Sequence, residues 1–163
     1  MEATITELPT LRLVGYRCFG RLGELPDRVH PAWRGLAKEA PSVVGLIDPG
    51  TFYGVMPDAD HLRPPPDGVY IYWTCVRIAP NAPFPKGMGQ LLVPATRYAV
   101  TPIKGRAERI PATYEELARW IGANGETPAP GAWALERYDE GRQPVIPPYP
   151  TFDYDILRPL APR

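Results

Sequence analysis

One carboxylate in this chain stands between aromatic rings. In Trp133-Ala134-Leu135-Glu136-Arg137-Tyr138, strand alternation puts Trp133 and Leu135 on one face and Ala134, Glu136 and Tyr138 on the other. The apolar pair suits a layer beneath helices, which points Glu136 into a cleft on the opposite side. A carboxylate ringed by aromatics is matched to a flat cationic ligand, because ring faces attract a cation and the carboxylate neutralises it where water is excluded. The same surroundings raise a carboxyl pKa and suit general acid or base chemistry. The competing reading is a solvated strand residue beside Arg137, since charges usually sit outside.

A second cluster is Tyr70-Ile71-Tyr72-Trp73. Neighbours on a strand point to opposite faces, so these three rings cannot all pack under a helix, and Tyr72 or Trp73 is a pocket candidate. Phe52, Tyr53 and Tyr98 are weaker candidates of the same kind, with core packing as the alternative for each. Trp33 and Tyr114 lie on apolar helix faces and read as core.

Several sharper chemistries have no support. The sequence contains no GxxxxGK[ST] phosphate loop, no GxGxxG after a strand and no GxSxG elbow. His30 and His61 sit in unrelated, proline-flanked contexts, which supports neither a Ser/His/Asp triad nor a histidine metal site. Asp58-x-Asp60-His61 reads as a solvated loop rather than a metal site. Cys18 and Cys75 are far apart and outside any CxxC spacing, so they read as buried small hydrophobes. The expectation is no metal and no cofactor.

The elements that must position these residues are set by length and composition. The 163 residues suit one domain. Eighteen Lys+Arg balance eighteen Asp+Glu, which removes the electrostatic footprint of a nucleic-acid or anionic-membrane binder, so neither partner is expected. With no long apolar run and no basic-then-apolar start, the expected location is cytoplasmic. The 23 prolines and 15 glycines approach the disorder range, yet four Trp, nine Tyr and four Phe supply too much ring surface for a chain that cannot fold.

Proline avoids element interiors, so proline-free windows mark the elements. Strands are predicted at Leu11–Tyr16, Val43–Ile47, Thr51–Met56, Tyr70–Ile78, Thr96–Thr101, Ala132–Tyr138 and Phe152–Leu160. Helical spacing runs from Leu25 through Val29, Trp33 and Leu36 to Ala40-Pro41. It recurs over Ile110, Tyr114, Leu117 and Ile121, with Asn124-Gly125 as the stop. Asp58–Asp67, Pro80–Pro85 and Pro144–Pro150 read as loops.

The two halves repeat. Arg28 to Lys38 falls on Arg109 to Arg119 at an offset of 81, matching Val29 with Ile110, Trp33 with Tyr114 and Leu36 with Leu117. At an offset of 82, Tyr70-x-Tyr72 falls on Phe152-x-Tyr154. A helix and a strand repeating together indicate a duplicated βαββ unit. The expected halves are about 8–86 and 87–163. The fold expected is α+β: about eight antiparallel strands, two helices on one face and a ligand cleft on the other.

Leu92-Val93-Pro94-Ala95-x-x-Tyr98-Ala99-Val100, then Thr113-Tyr114-x-x-Leu117-x-x-Trp120-Ile121, then Leu135-Glu136-x-Tyr138-Asp139 and a last strand ending Pro159-Leu160 follow a recognisable order. In that order and spacing the chain resembles the GyrI-like small-molecule-binding domain, the effector-binding domain of AraC-type and multidrug-sensing activators. The resemblance covers nearly the whole chain and is strongest from Leu91 onward. It implies an aromatic pocket between the halves and a glutamate, here Glu136, that contacts cationic drugs. No DNA-binding helices precede the domain here, so a stand-alone form is expected.

The function this implies is binding of flat hydrophobic, often cationic, small molecules by Glu136, Trp73, Tyr72, Tyr138, Tyr98, Tyr53 and Phe52. Two alternatives come with the resemblance. One is a hydrolase that opens cyclopropane-bearing genotoxins with Glu136 as base and Tyr72 assisting; the other is a protein-interaction role such as gyrase inhibition. The long proline loops of the first half depart from the family pattern.

Overall fold

A computed structural model describes residues 1–163. It contains β1 (Thr4–Leu8), β2 (Leu11–Gly20), α1 (Leu25–Glu39), β3 (Thr51–Pro57), β4 (Tyr70–Ile78), β5 (Gly89–Val93), β6 (Thr96–Gly105), α2 (Arg109–Ala123), β7 (Trp133–Asp139) and β8 (Phe152–Leu160). The strands form one sheet in the order β1-β6-β8-β7-β3-β4-β2-β5, and every neighbouring pair is antiparallel.

That order is a palindrome of the repeat. Outward from the centre run β7, β8 and β6 on one side and their counterparts β3, β4 and β2 on the other. The outermost strands are exchanged: β1 leads into β2 but pairs with β6, whereas β5 leads into β6 but pairs with β2. The exchange ties the halves together, because neither completes its sheet alone. β4 and β8 begin 82 positions apart, at Tyr70 and Phe152. The same offset relates Gly54 to Glu136, which are direct partners in the β3–β7 ladder. The pseudo-two-fold axis therefore passes through the Gly54–Glu136 pair.

Both helices lie on one face. Val14, Trp33, Leu36, Phe52, Val76 and Ile78 form the core beneath α1. Ala99, Ile103, Leu117, Ile121, Tyr154 and Ile156 form the core beneath α2. α2 ends where Gly125 takes φ +68°, and the Glu126 N–H reaches back to the Ile121 carbonyl, which caps orphan helix carbonyls. The opposite face carries no helix, yet it is buried. Leu11, Leu13, Tyr53, Val55, Trp73, Cys75, Val93, Tyr98, Leu135 and Leu157 close on one another there as the sheet curls into a half-barrel.

The α+β duplicated fold is as the sequence predicts, with three local corrections. Val43–Ile47 is a turn with a single bridge from Leu46 to Ile78, not a strand. Gly45, in the middle of this segment, takes φ +77°, which strand backbone does not accommodate. β6 extends past Thr101 through Pro102. β1 pairing stops at Val100, so the missing N–H of Pro102 faces no partner strand. Asp58, expected in a solvated loop, is fully buried and accepts two hydrogen bonds of 2.7 Å from Arg158.

Candidate functional site

The cleft is on the helix face, not opposite it. Leu135 belongs to the helix-free core and Trp133 packs against it, so alternation turns Glu136 and Tyr138 toward the helices. Apolar strand residues such as Trp133 and Leu135 need no helix layer above them, because curling lets the sheet bury that face unaided. Between α1, the start of α2 and the segment joining β7 to β8 lies a cavity of about 520 Å³.

Its floor is Glu136. The Tyr72 hydroxyl donates to Glu136 Oε2 at 2.6 Å and the Tyr138 hydroxyl donates to the same oxygen at 2.7 Å. Glu136 Oε1 receives neither bond. No lysine or arginine forms an ion pair with this carboxylate. Burial pushes the Glu136 carboxyl above its usual range, and hydrogen bonding from Tyr72 and Tyr138 works in the opposite direction. Burial and the Glu136 charge together keep the Tyr72, Tyr138, Tyr114 and Tyr154 phenols protonated well beyond the ordinary range. The result is a carboxylate held by hydroxyl donors, with no counter-cation of its own.

Gly54 makes this geometry possible. A Cβ built there would lie 2.0 Å from the Tyr72 hydroxyl and 2.8 Å from Glu136 Oε2, so only a residue without a side chain admits the Tyr72–Glu136 bond.

The walls are aromatic and aliphatic. Trp33 packs edge-on to Tyr72 and Tyr138, with centroids 6.3 and 5.5 Å apart, and Tyr138 stacks on Tyr154 at 4.7 Å. Leu25, Val29 and Trp33 reach the cavity because positions four apart share one stripe of α1.

Of the residues singled out from sequence, Glu136, Tyr72 and Tyr138 meet in this cavity. Phe52 is on the same face but lies beneath, its ring 6.3 Å from Trp33. Trp73, Tyr98 and Tyr53 are corrected: all three belong to the helix-free core on the other side of the sheet. Tyr98 there donates its hydroxyl to the Trp133 carbonyl at 3.1 Å, and Trp73 packs over Gly89. Trp33 packs in the core beneath α1, as the sequence predicts, and its ring also forms a wall of the cavity. Sequence reasoning also missed His30, Tyr149, Phe152 and Tyr154. The ring-rich run Tyr149-Pro150-Thr151-Phe152-Asp153-Tyr154 was the available signal.

A duplicated half-barrel with two helices on one face and a carboxylate-floored aromatic cavity between them defines a small-molecule-binding architecture. The chain belongs to the GyrI-like small molecule binding domain family, which it matches over residues 1–161. It is 28% identical over 149 residues to the transcriptional regulator BrlR of Pseudomonas aeruginosa, covering 90% of this chain and 52% of BrlR. The chain thus spans about half the length of the curated relative it matches. The C-terminal domain of EcmrR has the same fold, with a TM-score of 0.70 at 15% identity over 98% of this chain and 97% of that one. EcmrR in a DNA complex aligns with a TM-score of 0.67 at 14% identity, over 98% of this chain and 57% of that one. SAV2435, whose structure holds tetraphenylphosphonium, aligns with a TM-score of 0.63 at 17% identity over 99% of this chain and 94% of that one. No helix of the chain is long and apolar enough to cross a membrane.

Proposed function

We propose that this chain is a cytoplasmic sensor or sequestering protein for flat or globular hydrophobic monocations, held in the cavity above Glu136. The observation that carries the reading is a deep carboxylate with two tyrosine donors on one oxygen and no cationic partner. A buried charge without its counterion is costly, and a ligand that supplies the missing positive charge recovers part of that cost. Aromatic faces favour the same ligand class, and soft, weakly hydrated cations lose least on entering. That SAV2435 holds tetraphenylphosphonium on the same fold supports the reading.

Trp33 makes the test direct, because a bound dye lies against its indole. Cationic dyes are expected to quench tryptophan fluorescence saturably, and Trp33→Phe to remove most of that signal while Trp73→Phe removes little. Unsaturable quenching, or quenching lost equally in both variants, would contradict the reading. The same carboxylate suits base chemistry, so a cyclopropane-bearing alkylator belongs in the panel. Multiple turnovers of ring-opened product would make the chain a hydrolase, and recovery of gyrase without small-molecule binding would make it an interaction protein.

A further inference from the structure

Six rings form a continuous chain along the cavity wall. From His30 the centroids step to Tyr149 at 6.2 Å, to Phe152 at 5.7 Å, to Tyr154 at 6.1 Å, to Tyr138 at 4.7 Å and to Trp33 at 5.5 Å. Trp33 and His30 are three residues apart on the same face of α1. All six line the cavity.

Most polar atoms of the wall are already engaged. Tyr72 and Tyr138 donate to Glu136, and Tyr149 donates to the Val145 carbonyl. The Gln143 amide donates to the Pro144 carbonyl at 3.1 Å and accepts from the Asp153 N–H at 2.8 Å. The Trp33 indole is a donor only, and the Tyr154 hydroxyl, which makes no hydrogen bond within the protein, lies at the Glu136 end of the cavity, where its ring stacks on Tyr138. His30 is different. It is half-buried at the cavity wall, it makes no hydrogen bond within the protein, and a neutral imidazole presents one N–H and one acceptor nitrogen. Its position also lacks a polar counterpart in the second half, where the repeat places Pro111.

We propose that His30 is a second recognition point of the cavity: its ring nitrogen accepts a hydrogen bond from an N–H or O–H group that the bound cation carries away from Glu136. The proposal rests on the cation-binding reading and adds the selectivity that reading lacks. With Glu136 alone, the cavity sorts molecules by charge and bulk. With His30 it also favours cations bearing a donor at their far end, since an acceptor left unpaired on complex formation is penalised.

Two dyes with one triaryl carbocation core separate these contributions. Pararosaniline ends in primary amines with N–H donors, whereas crystal violet ends in dimethylated nitrogens with none. Each is titrated by calorimetry into the full chain, into His30→Phe, which keeps an edge-on ring for Tyr149, and into His30→Asn, which keeps an acceptor. The expected result is that His30→Phe weakens pararosaniline roughly fivefold to tenfold, the size of one net hydrogen bond, and crystal violet less than about twofold. His30→Asn should recover part of the pararosaniline affinity. Equal weakening of both dyes by His30→Phe, or an unchanged affinity ratio, overturns the assignment of His30 alone. Binding of neither dye by the unaltered chain overturns the cation-binding reading as well.

Discussion

At the centre of the sheet, the two halves of the repeat differ at the residue on their shared axis. β3 presents Gly54 and β7 presents Glu136, related by the same 82-residue offset that relates Tyr72 to Tyr154. Duplication therefore supplies a symmetric frame of strands and tyrosines, and a single asymmetric pair turns it into a site. Two carboxylates on the axis would repel each other within one small volume, and two glycines would leave an uncharged hollow. One of each gives a lone anion with room for the Tyr72 hydroxyl beside it.

The most severe way to break that asymmetry is Gly54→Ala. The added methyl would meet both the Tyr72 hydroxyl and Glu136 Oε2 well inside contact distance. Overpacking of this kind costs roughly 1–3 kcal/mol, and cation affinity should fall with stability. Gly122→Ala is the control, because it sits on α2 with nothing within 4 Å of a built Cβ. Thermal melts should show a loss for the first and a gain, or no change, for the second. Equal melting behaviour would remove Gly54 from the account.

A milder comparison sets the two faces of the sheet against each other. Tyr138→Phe removes one of the donors holding Glu136, so it should weaken cation binding several-fold and move its acid limb to higher pH. Tyr98→Phe removes the bond to the Trp133 carbonyl on the helix-free face and should cost roughly 1 kcal/mol of stability with cation affinity unchanged. Affinity that responds to Tyr98 as strongly as to Tyr138 would contradict the placement of the cavity.

The smallest effect is one of sign. Burial raises the folded-state pKa of Glu136 above 4.5, so its protonated form stabilises the fold below the unfolded pKa, and that contribution is lost as pH rises through the folded value. Glu136→Gln lacks this loss. Its melting temperature should draw level with or exceed the unaltered protein at neutral pH, and the advantage should shrink as pH falls through the raised folded-state value and level off below 4.5. A melting temperature lowered at neutral pH and restored by acid would reverse the sign and refute the burial argument.

How far the sequence carried this picture depends on which physics set each element. β4 and β8 were readable to the residue, since β-branched and aromatic runs between prolines and glycines leave little alternative. β1 and β5 were not, because each is five residues at a sheet edge and is paired with the other half. Glu136 and Tyr138 were legible as one face by alternation, whereas on β4 the choice between Tyr72 and Trp73 stayed open. Which side of the sheet Glu136 and Tyr138 occupy was not legible, because curling of the sheet is a property of all eight strands together. Trp73 and Tyr98 were misplaced for the same reason. The wall residues His30, Trp33 and Tyr149 are supplied by a helix and a proline-rich segment, and only packing against the sheet brings their rings together.

The central claim is that Glu136 makes the cavity selective for positive charge. Tetraphenylphosphonium and tetraphenylborate have nearly the same shape and opposite charge, so their affinities compared by calorimetry isolate that claim. The expected result is saturable binding of tetraphenylphosphonium, at least roughly tenfold tighter than of tetraphenylborate, with Glu136→Gln closing most of the gap; a hydrogen-bonded charge of this kind is worth about 1.5–3 kcal/mol. Equal affinity for the two ions, a preference for the borate, or a gap untouched by Glu136→Gln would contradict it.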